Sequence, residues 1–321
     1  MDAYSPLFIK ALIENNLEAL RKIPKSDLHN HQSRAANKHD LEQWLKVKIP
    51  PFQKVNSLME MDHWYRQNIR GLTPTRETFE LKIKSAFCEA IRENIVLLCL
   101  SIGPGDMQYF NNDILEFINT IERYREEIAP DIEFIPEMSL CRTGNEESNQ
   151  YQIDTSFEIL KLNYFKSIDL VGDEYVSPAP FRALYQKCKE LGMRTKIHVG
   201  ESTSFENIAK AISELDVQEL QHGISASESP ELMKLLKERD ITLHVCPTSN
   251  VMLNNTCDYS FPQLRILLDH GVTVTLNTDD LLIFDSTISE EYMKLYQGGN
   301  FTPEELDQIR CHGLEYRSKL G

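Results

Sequence analysis

Apolar residues in this chain fall into short continuous runs separated by longer amphipathic stretches. The amphipathic stretches carry the helical spacing i, i+3, i+4, and the continuous runs have the length of strands buried on both faces. A helix is predicted over 5–21, with Leu7, Ile9, Leu12, Ile13 and Leu17 on one side. A short strand follows at 25–31, Lys25-Ser26-Asp27-Leu28-His29-Asn30-His31. Helices are predicted over 37–48 and 53–70, separated by Pro50-Pro51. A long helix over 75–93 has Phe79, Ile83, Ala86, Phe87, Ala90 and Ile91 as its apolar stripe.

From there strand and helix alternate. Strands at 95–102, 132–140, 167–171, 195–199, 219–221 and 241–245 are followed by helices at 111–128, 147–163, 179–191, 204–214, 228–239 and, after a loop, 262–269. A last strand at 272–276 is followed by helices at 287–297 and 303–319. Counted with the first strand, this makes eight β-then-α units, the signature of a (β/α)8 TIM barrel. It would form one domain over 1–321, with an N-terminal helix and helical insertions after strand 1. The main alternative, a doubly wound open sheet, would show a Gly-rich phosphate loop after its first strand, and there is none.

Such barrels carry their active sites at the C-terminal ends of the strands, and the polar residues gather there. Strand 1 ends at His29-Asn30-His31 and strand 5 at His198, with Glu201 just beyond. Strand 6 ends at His222-Gly223 and strand 8 at Asn277-Thr278-Asp279-Asp280. Positions i and i+2 of a strand share a face, so His29 and His31 should both look to the barrel axis and Asn30 away from it. These two imidazoles, His198 and a carboxylate from strand 8 make a nitrogen/oxygen set suited to zinc, with iron or manganese as alternatives. Glu201, beside a metal-held water, is a natural proton carrier. One of Asp279 and Asp280 could instead cap the next helix. His39, His63, His244, His270 and His312 are read as structural. Asp169, Asp173 and Glu174, assigned to the segment after strand 4, are read as ordinary acids that could orient a substrate.

Charge narrows the partners. Thirty-four basic against 49 acidic residues give a net charge of −15, which disfavours nucleic acid and leaves a small molecule. The first residues lack a basic and apolar signal segment, and no run is long enough to span a bilayer. Seven cysteines, an odd number without Cys-x-x-Cys, fit a reduced, cytoplasmic protein and make cysteine ligation of a metal a poor expectation. Nothing in the sequence sets an oligomeric state.

With these residues in view, the chain resembles the adenosine deaminase family of the metal-dependent amidohydrolases. The resemblance runs in order through Ile23–His31, Ile168-Asp169-Leu170-Val171-Gly172-Asp173-Glu174, His198-Val199-Gly200-Glu201, His222-Gly223, Val245-Cys246-Pro247-Thr248-Ser249-Asn250 and Leu276–Asp280. It implies a zinc-dependent purine deaminase with one metal, held by His29, His31, His198 and Asp279. It further implies that Glu201 protonates the ring nitrogen next to the attacked carbon, and that His222 and Asp280 position and deprotonate the water. The backbone at Gly172 would donate to a purine nitrogen. Relatives with two metals commonly bridge them with a lysine after strand 4, and 168–174 contains none.

One departure bears on the substrate. Adenosine-cleaving members typically follow the second histidine with a leucine, an acid that binds a sugar hydroxyl, and a glycine; here the residues are Gln32-Ser33-Arg34. Ser33 and Arg34 are therefore candidate substrate-binding residues for an adenine derivative altered at the sugar 5′ position, since guanidinium groups suit phosphate and carboxylate. The other disposition for Arg34 is outward, paired with a surface acid. Two rival functions remain: a metal hydrolase cleaving a non-purine amide or ester, and a non-catalytic barrel of the same family.

Overall fold

The computed structural model describes residues 2–319. Eight parallel strands follow one another round a nearly closed (β/α)8 barrel in the order β1 to β8. They are β1 Lys25–Asp27, β2 Ile95–Ile102, β3 Glu133–Cys141, β4 Ser167–Val171, β5 Arg194–Val199, β6 Glu219–His222, β7 Thr242–Val245 and β8 Val274–Leu276. The barrel closes between its ends through a bridge from Asn30 to Asp279. There the Asp279 N–H donates to the His29 carbonyl at 2.9 Å and the His31 N–H to the Asp279 carbonyl at 3.2 Å.

The strands are largely buried because both faces are covered. On β2, Leu98, Leu100 and Ile102 join the main core under the helices, while Leu97 and Cys99 turn inward to Leu28, Ile135 and Tyr316. The inner floor also buries charge in pairs. Lys196 Nζ lies 2.9 Å from Glu137 Oε2, His244 Nε2 lies 2.8 Å from Glu219 Oε2, and the Tyr316 hydroxyl donates to Glu219 at 2.9 Å. A second apolar cluster, including Leu41, Phe52, Met61, Tyr65, Leu253 and Phe284, joins the insertion after β1 to the segments after β7 and β8.

Several predicted boundaries are corrected. The helix over 5–21 is two helices, Ser5–Ile13 and Leu17–Arg21, because Asn15 turns left-handed (φ 49°) and the Asn16 side chain caps the second at Ala19 N. The strand over 25–31 ends at Asp27, since the Leu28 N–H donates to the Asn277 side chain at 2.8 Å instead of to a neighbouring strand. The helix expected over 53–70 is Leu58–Asn68; the chain has no regular structure after the proline pair until Ser57 caps Glu60 N. The loop after β7 contains a helix, Pro247–Met252, and Asp280 opens a further one, Leu281–Phe284. In the helix Arg76–Arg92, Ile91 is 53% exposed and does not belong to the stripe, whereas Lys82 is buried.

Candidate active site

The four predicted ligands meet at one point. His29 Nε2 lies 3.1 Å from His198 Nε2, His31 Nε2 lies 3.2 Å from the same atom, and Asp279 Oδ1 is 3.4 Å from both His29 and His31 Nε2. Zinc–ligand bonds of about 2.0–2.1 Å would place tetrahedral donors roughly 3.3–3.4 Å apart, so the four atoms fit such an ion.

The backs of the rings show which nitrogens face inward. His29 Nδ1 is 3.2 Å from the His244 carbonyl oxygen, which can only accept, so Nδ1 carries the hydrogen and Nε2 presents a lone pair. His198 Nδ1 lies 2.9 Å from Asp169 Oδ2, an ion-pair approach rather than an aligned hydrogen bond, and orders that ring in the same sense. Lone pairs converging at 3.1–3.2 Å repel one another unless a cation or proton lies between them. Asn30 points to the other side, as the strand alternation requires. Its amide donates to Asp27 at 3.0 Å and to Thr278 at 3.1 Å, locking the β1/β8 seam.

Glu201 and His222 stand beside this set. His222 Nε2 is 3.5 Å from Glu201 Oε2 and 3.8 Å from Asp279 Oδ2. The Asn250 amide touches both, 3.2 Å from His222 Nδ1 and 3.4 Å from Glu201 Oε1. His222 and Asp279 both hold left-handed backbone, at φ 61° and 60°. Gly200 (φ 73°) turns the chain between His198 and Glu201, and a Cβ there would come within 2.4 Å of Ile208.

The carboxyl groups differ. Burial, reinforced by Asp279, Glu174 and Asp280, raises the pKa of Glu201 well above the ordinary range and favours its protonated form. Burial acts on Asp279 the same way, but the histidines outweigh it and Asp279 stays ionised. Burial lowers His222 to about 4, leaving it a neutral imidazole near pH 7.

Several contributors were not singled out in the sequence. Asp169 lies within β4 rather than after it. Glu174 accepts from the N–H groups of Gly200 (2.6 Å), Glu201 (3.2 Å) and Ser202 (3.1 Å) and from the Thr203 hydroxyl (2.5 Å), fixing the loop that carries Glu201. The buried Arg142 guanidinium donates to the carbonyls of Gly172 and His198. Gly172 (φ 97°) needs to be glycine, because a Cβ would meet Thr143 Oγ1 at 2.4 Å.

Arg34 turns inward. Its side chain is 21% exposed, lies 2.8 Å from Asp280 Oδ2 and 3.6 Å from Asp62, and stacks 4.6 Å over the Tyr65 ring. Asp280 starts the helix Leu281–Phe284, yet its side chain makes no capping bond; Arg34 holds one oxygen, and Oδ1 has no partner among the described residues. His244 binds Glu219 and Thr275 through its ring, so its link to the site is its carbonyl.

The profile of the adenosine deaminase family matches residues 24–317. The chain belongs to the adenosine deaminase family. Within it, a putative adenosine/adenine deaminase of Treponema pallidum is 26% identical over 289 residues, covering 89% of this chain and 96% of that protein. Two solved structures share the fold. An amidohydrolase from Burkhoderia ambifaria with bound zinc superposes with a TM-score of 0.74 at 19% identity, over 98% of this chain and 88% of that one. The N6-methyl-AMP deaminase of Arabidopsis thaliana superposes with a TM-score of 0.75 at 18% identity, over 92% of each. Family membership makes the protein an aminohydrolase, with purine deamination as its general chemistry.

Proposed function

We propose that this protein is a zinc-dependent deaminase that converts a 6-amino purine to the 6-oxo purine and releases ammonia. The observation that carries the reading is the convergence of His29, His31, His198 and Asp279 on one point, with Glu201 and His222 alongside. Three neutral imidazoles and one carboxylate favour zinc among common divalent ions, and one structural neighbour is described with bound zinc. When bound, the ion would lower the pKa of a coordinated water to roughly 7.

The protein's groups do the rest. His222, neutral near pH 7, and Asp280, with one oxygen free, would together position and deprotonate the water. Glu201, kept protonated by its surroundings, gives its proton to the ring nitrogen beside the attacked carbon, so negative charge does not build on the ring. The Gly172 N–H, in the residue whose carbonyl accepts from Arg142, would donate to a second ring nitrogen. Water oxygen replaces the amino group, which leaves as ammonia. Ser33 stands in place of a sugar-binding acid, so the preferred substrate is an adenine derivative altered on the sugar side and not plain adenosine.

The test has two measurements. Elemental analysis should find about one zinc per chain. Ammonia release should then be followed with adenine, adenosine, deoxyadenosine, AMP, methylthioadenosine and N6-substituted analogues. A zinc-loaded protein that releases ammonia from none of them is not a purine deaminase. Faster turnover of adenosine than of every 5′-modified analogue would make Ser33 a tolerated replacement for the acid.

A further inference from the structure

The ladders of the barrel do not all run to the strand ends. β3 and β4 stay paired up to Cys141 and Val171, and β5 and β6 up to Val199 and His222. Among the described residues, β4 and β5 pair at Ser167/Arg194 and Ile168/Thr195 alone. Above that point residues 169–171 and 196–199 face one another across an open seam. The seam leads to the mouth between Gly172 and His198.

Buried carbonyls along such a seam need donors from elsewhere. Successive carbonyls of a strand point to opposite neighbours. The Val199 carbonyl accepts the Gly223 N–H on the β6 side at 3.1 Å, so the His198 carbonyl faces β4, where the ladder has stopped. Arg142 supplies the donor. Its own N–H bonds the Val171 carbonyl at 3.0 Å, which seats it on the end of β4. Its Nη2 then crosses the seam, donating to the His198 carbonyl and, at 3.3 Å, to the Gly172 carbonyl. Arg142 is 1% exposed, and its Nε has no partner among the described residues. Burying a guanidinium is costly, and a neutral side chain could fill the same space; what the charge adds is strength in the bonds to these two carbonyls.

The two carbonyls matter because of what is attached to them. His198 is one of the four converging donors. Gly172 carries the N–H expected to hold the base, and at φ 97° without a Cβ it is the least restrained kind of residue. Its N–H belongs to the peptide whose carbonyl is that of Val171, and in a trans peptide the two point in opposite directions. Arg142 therefore holds the peptides on both sides of Gly172, one through its N–H and the other through its guanidinium. Glu201, after β5, addresses the ring nitrogen N1. N3 lies on the same edge of the purine, across C2, and Gly172 lies at the end of the adjacent strand.

We propose that Arg142 is a positioning residue. By sharing Nη2 between the Gly172 and His198 carbonyls, it fixes the spacing across the open β4/β5 seam and aims the Gly172 N–H at purine N3. The inference rests on the deaminase reading and assigns the recognition of N3 to a side chain that does not touch the base.

The test measures binding of three 6-oxo nucleosides to the zinc-loaded protein by calorimetry. They are inosine, 3-deazainosine with C–H in place of N3, and 7-deazainosine with C–H in place of N7. A buried N–H facing C–H loses its acceptor, so the wild type should favour inosine over 3-deazainosine by about tenfold or more. In Arg142→Met that preference should shrink to within about threefold, while the preference over 7-deazainosine, set at the other edge of the ring, stays within about twofold of its wild-type value. A general loosening of the pocket would lower both preferences together. Arg142→Lys keeps the charge without the planar fork and should show an intermediate N3 preference; it carries the test where Arg142→Met does not fold. An unchanged N3 preference in either folded variant, equal loss of both preferences, failure of both variants to fold, or a wild type that does not bind inosine or does not distinguish N3 would each overturn the assignment. The deaminase reading falls separately. If no 6-aminopurine releases ammonia, that reading fails while the binding ratios are still measured; if ammonia is released and the N3 preference does not depend on Arg142, only the positioning role fails.

Discussion

Glu174 should set the rate through Glu201 without touching the chemistry. Its carboxylate takes four donors from one loop: the N–H groups of Gly200, Glu201 and Ser202 and the Thr203 hydroxyl. Hydrogen bonds to a charged group contribute roughly 1.5–3 kcal/mol each when shielded. Ser202 is exposed and water can replace its bond; Glu201 and Thr203 are buried. Glu174→Ala should therefore cost about 2–4 kcal/mol of stability. Glu201 would lose its fixed position, and a displacement of about 1 Å can cost on the order of a hundredfold in rate. The expected outcome is a kcat lower by about 10- to 100-fold, with zinc content unchanged and KM changed little. Glu174→Gln keeps one carbonyl acceptor and should lie between wild type and Glu174→Ala. Steady-state ammonia release, elemental analysis and thermal unfolding on the same preparations decide it. A folded, zinc-loaded Glu174→Ala with kcat within twofold of wild type would refute the reasoning.

Three further outcomes are expected. Glu201→Gln keeps size and removes the acid, so turnover should fall by at least about a hundredfold while zinc stays bound; loss of zinc would make Glu201 a ligand instead. Asp169→Asn should weaken zinc binding by about 10- to 100-fold in a chelator competition, because the carboxylate behind His198 sets that ring's orientation and basicity; unchanged affinity would mean that packing alone holds the ring. Burial works against charge on His31, but Asp279, Asp280 and Asp169 outweigh it and raise its pKa to about 9 in the metal-free protein. Zinc must therefore displace a proton at neutral pH, and apparent affinity should fall about tenfold for each unit of pH below 9. Chelator titrations between pH 6 and 8 that show no slope would contradict this.

The barrel was legible because most of its strands read as short apolar runs, and the histidines and acids of the site cluster at or just beyond the strand ends. His29 and His31 could be assigned to one face from spacing alone. What escaped depends on partners distant in sequence. Glu174 is an ordinary loop acid until the loop after β5 comes within 3.2 Å of it. Asp169 falls inside the predicted strand 167–171, but only the closed barrel brings it to 2.9 Å from the His198 ring on β5. Arg34 was open between substrate and surface; its partner Asp280 lies 246 positions away. Asn250 and Arg142 carried no signal as single residues, and Asn15 gave no warning that it would break the first helix.

The pocket holds more acid than it can ionise together. Asp279, Asp280, Glu201 and Asp169 are all buried around four imidazoles, and burial alone would protonate each of them. The surroundings assign different charges instead. Asp279 faces the inward nitrogens of His29 and His31 and stays ionised, as a ligand must. Asp280 has the Arg34 guanidinium on one oxygen, which offsets part of the cost of its charge. Glu201 is buried facing the charges of Asp279, Glu174 and Asp280, and so it is the group that keeps its proton. A general acid and a metal-binding carboxylate can then work at one pH because their environments differ. Arg34 has a defined part in this arrangement. Without its charge the burden on Asp280 rises, and a protonated Asp280 would relieve the repulsion that keeps Glu201 in its acid form. Arg34 thereby links the insertion after β1, through Asp62 and Tyr65, to the proton balance of the catalytic pocket.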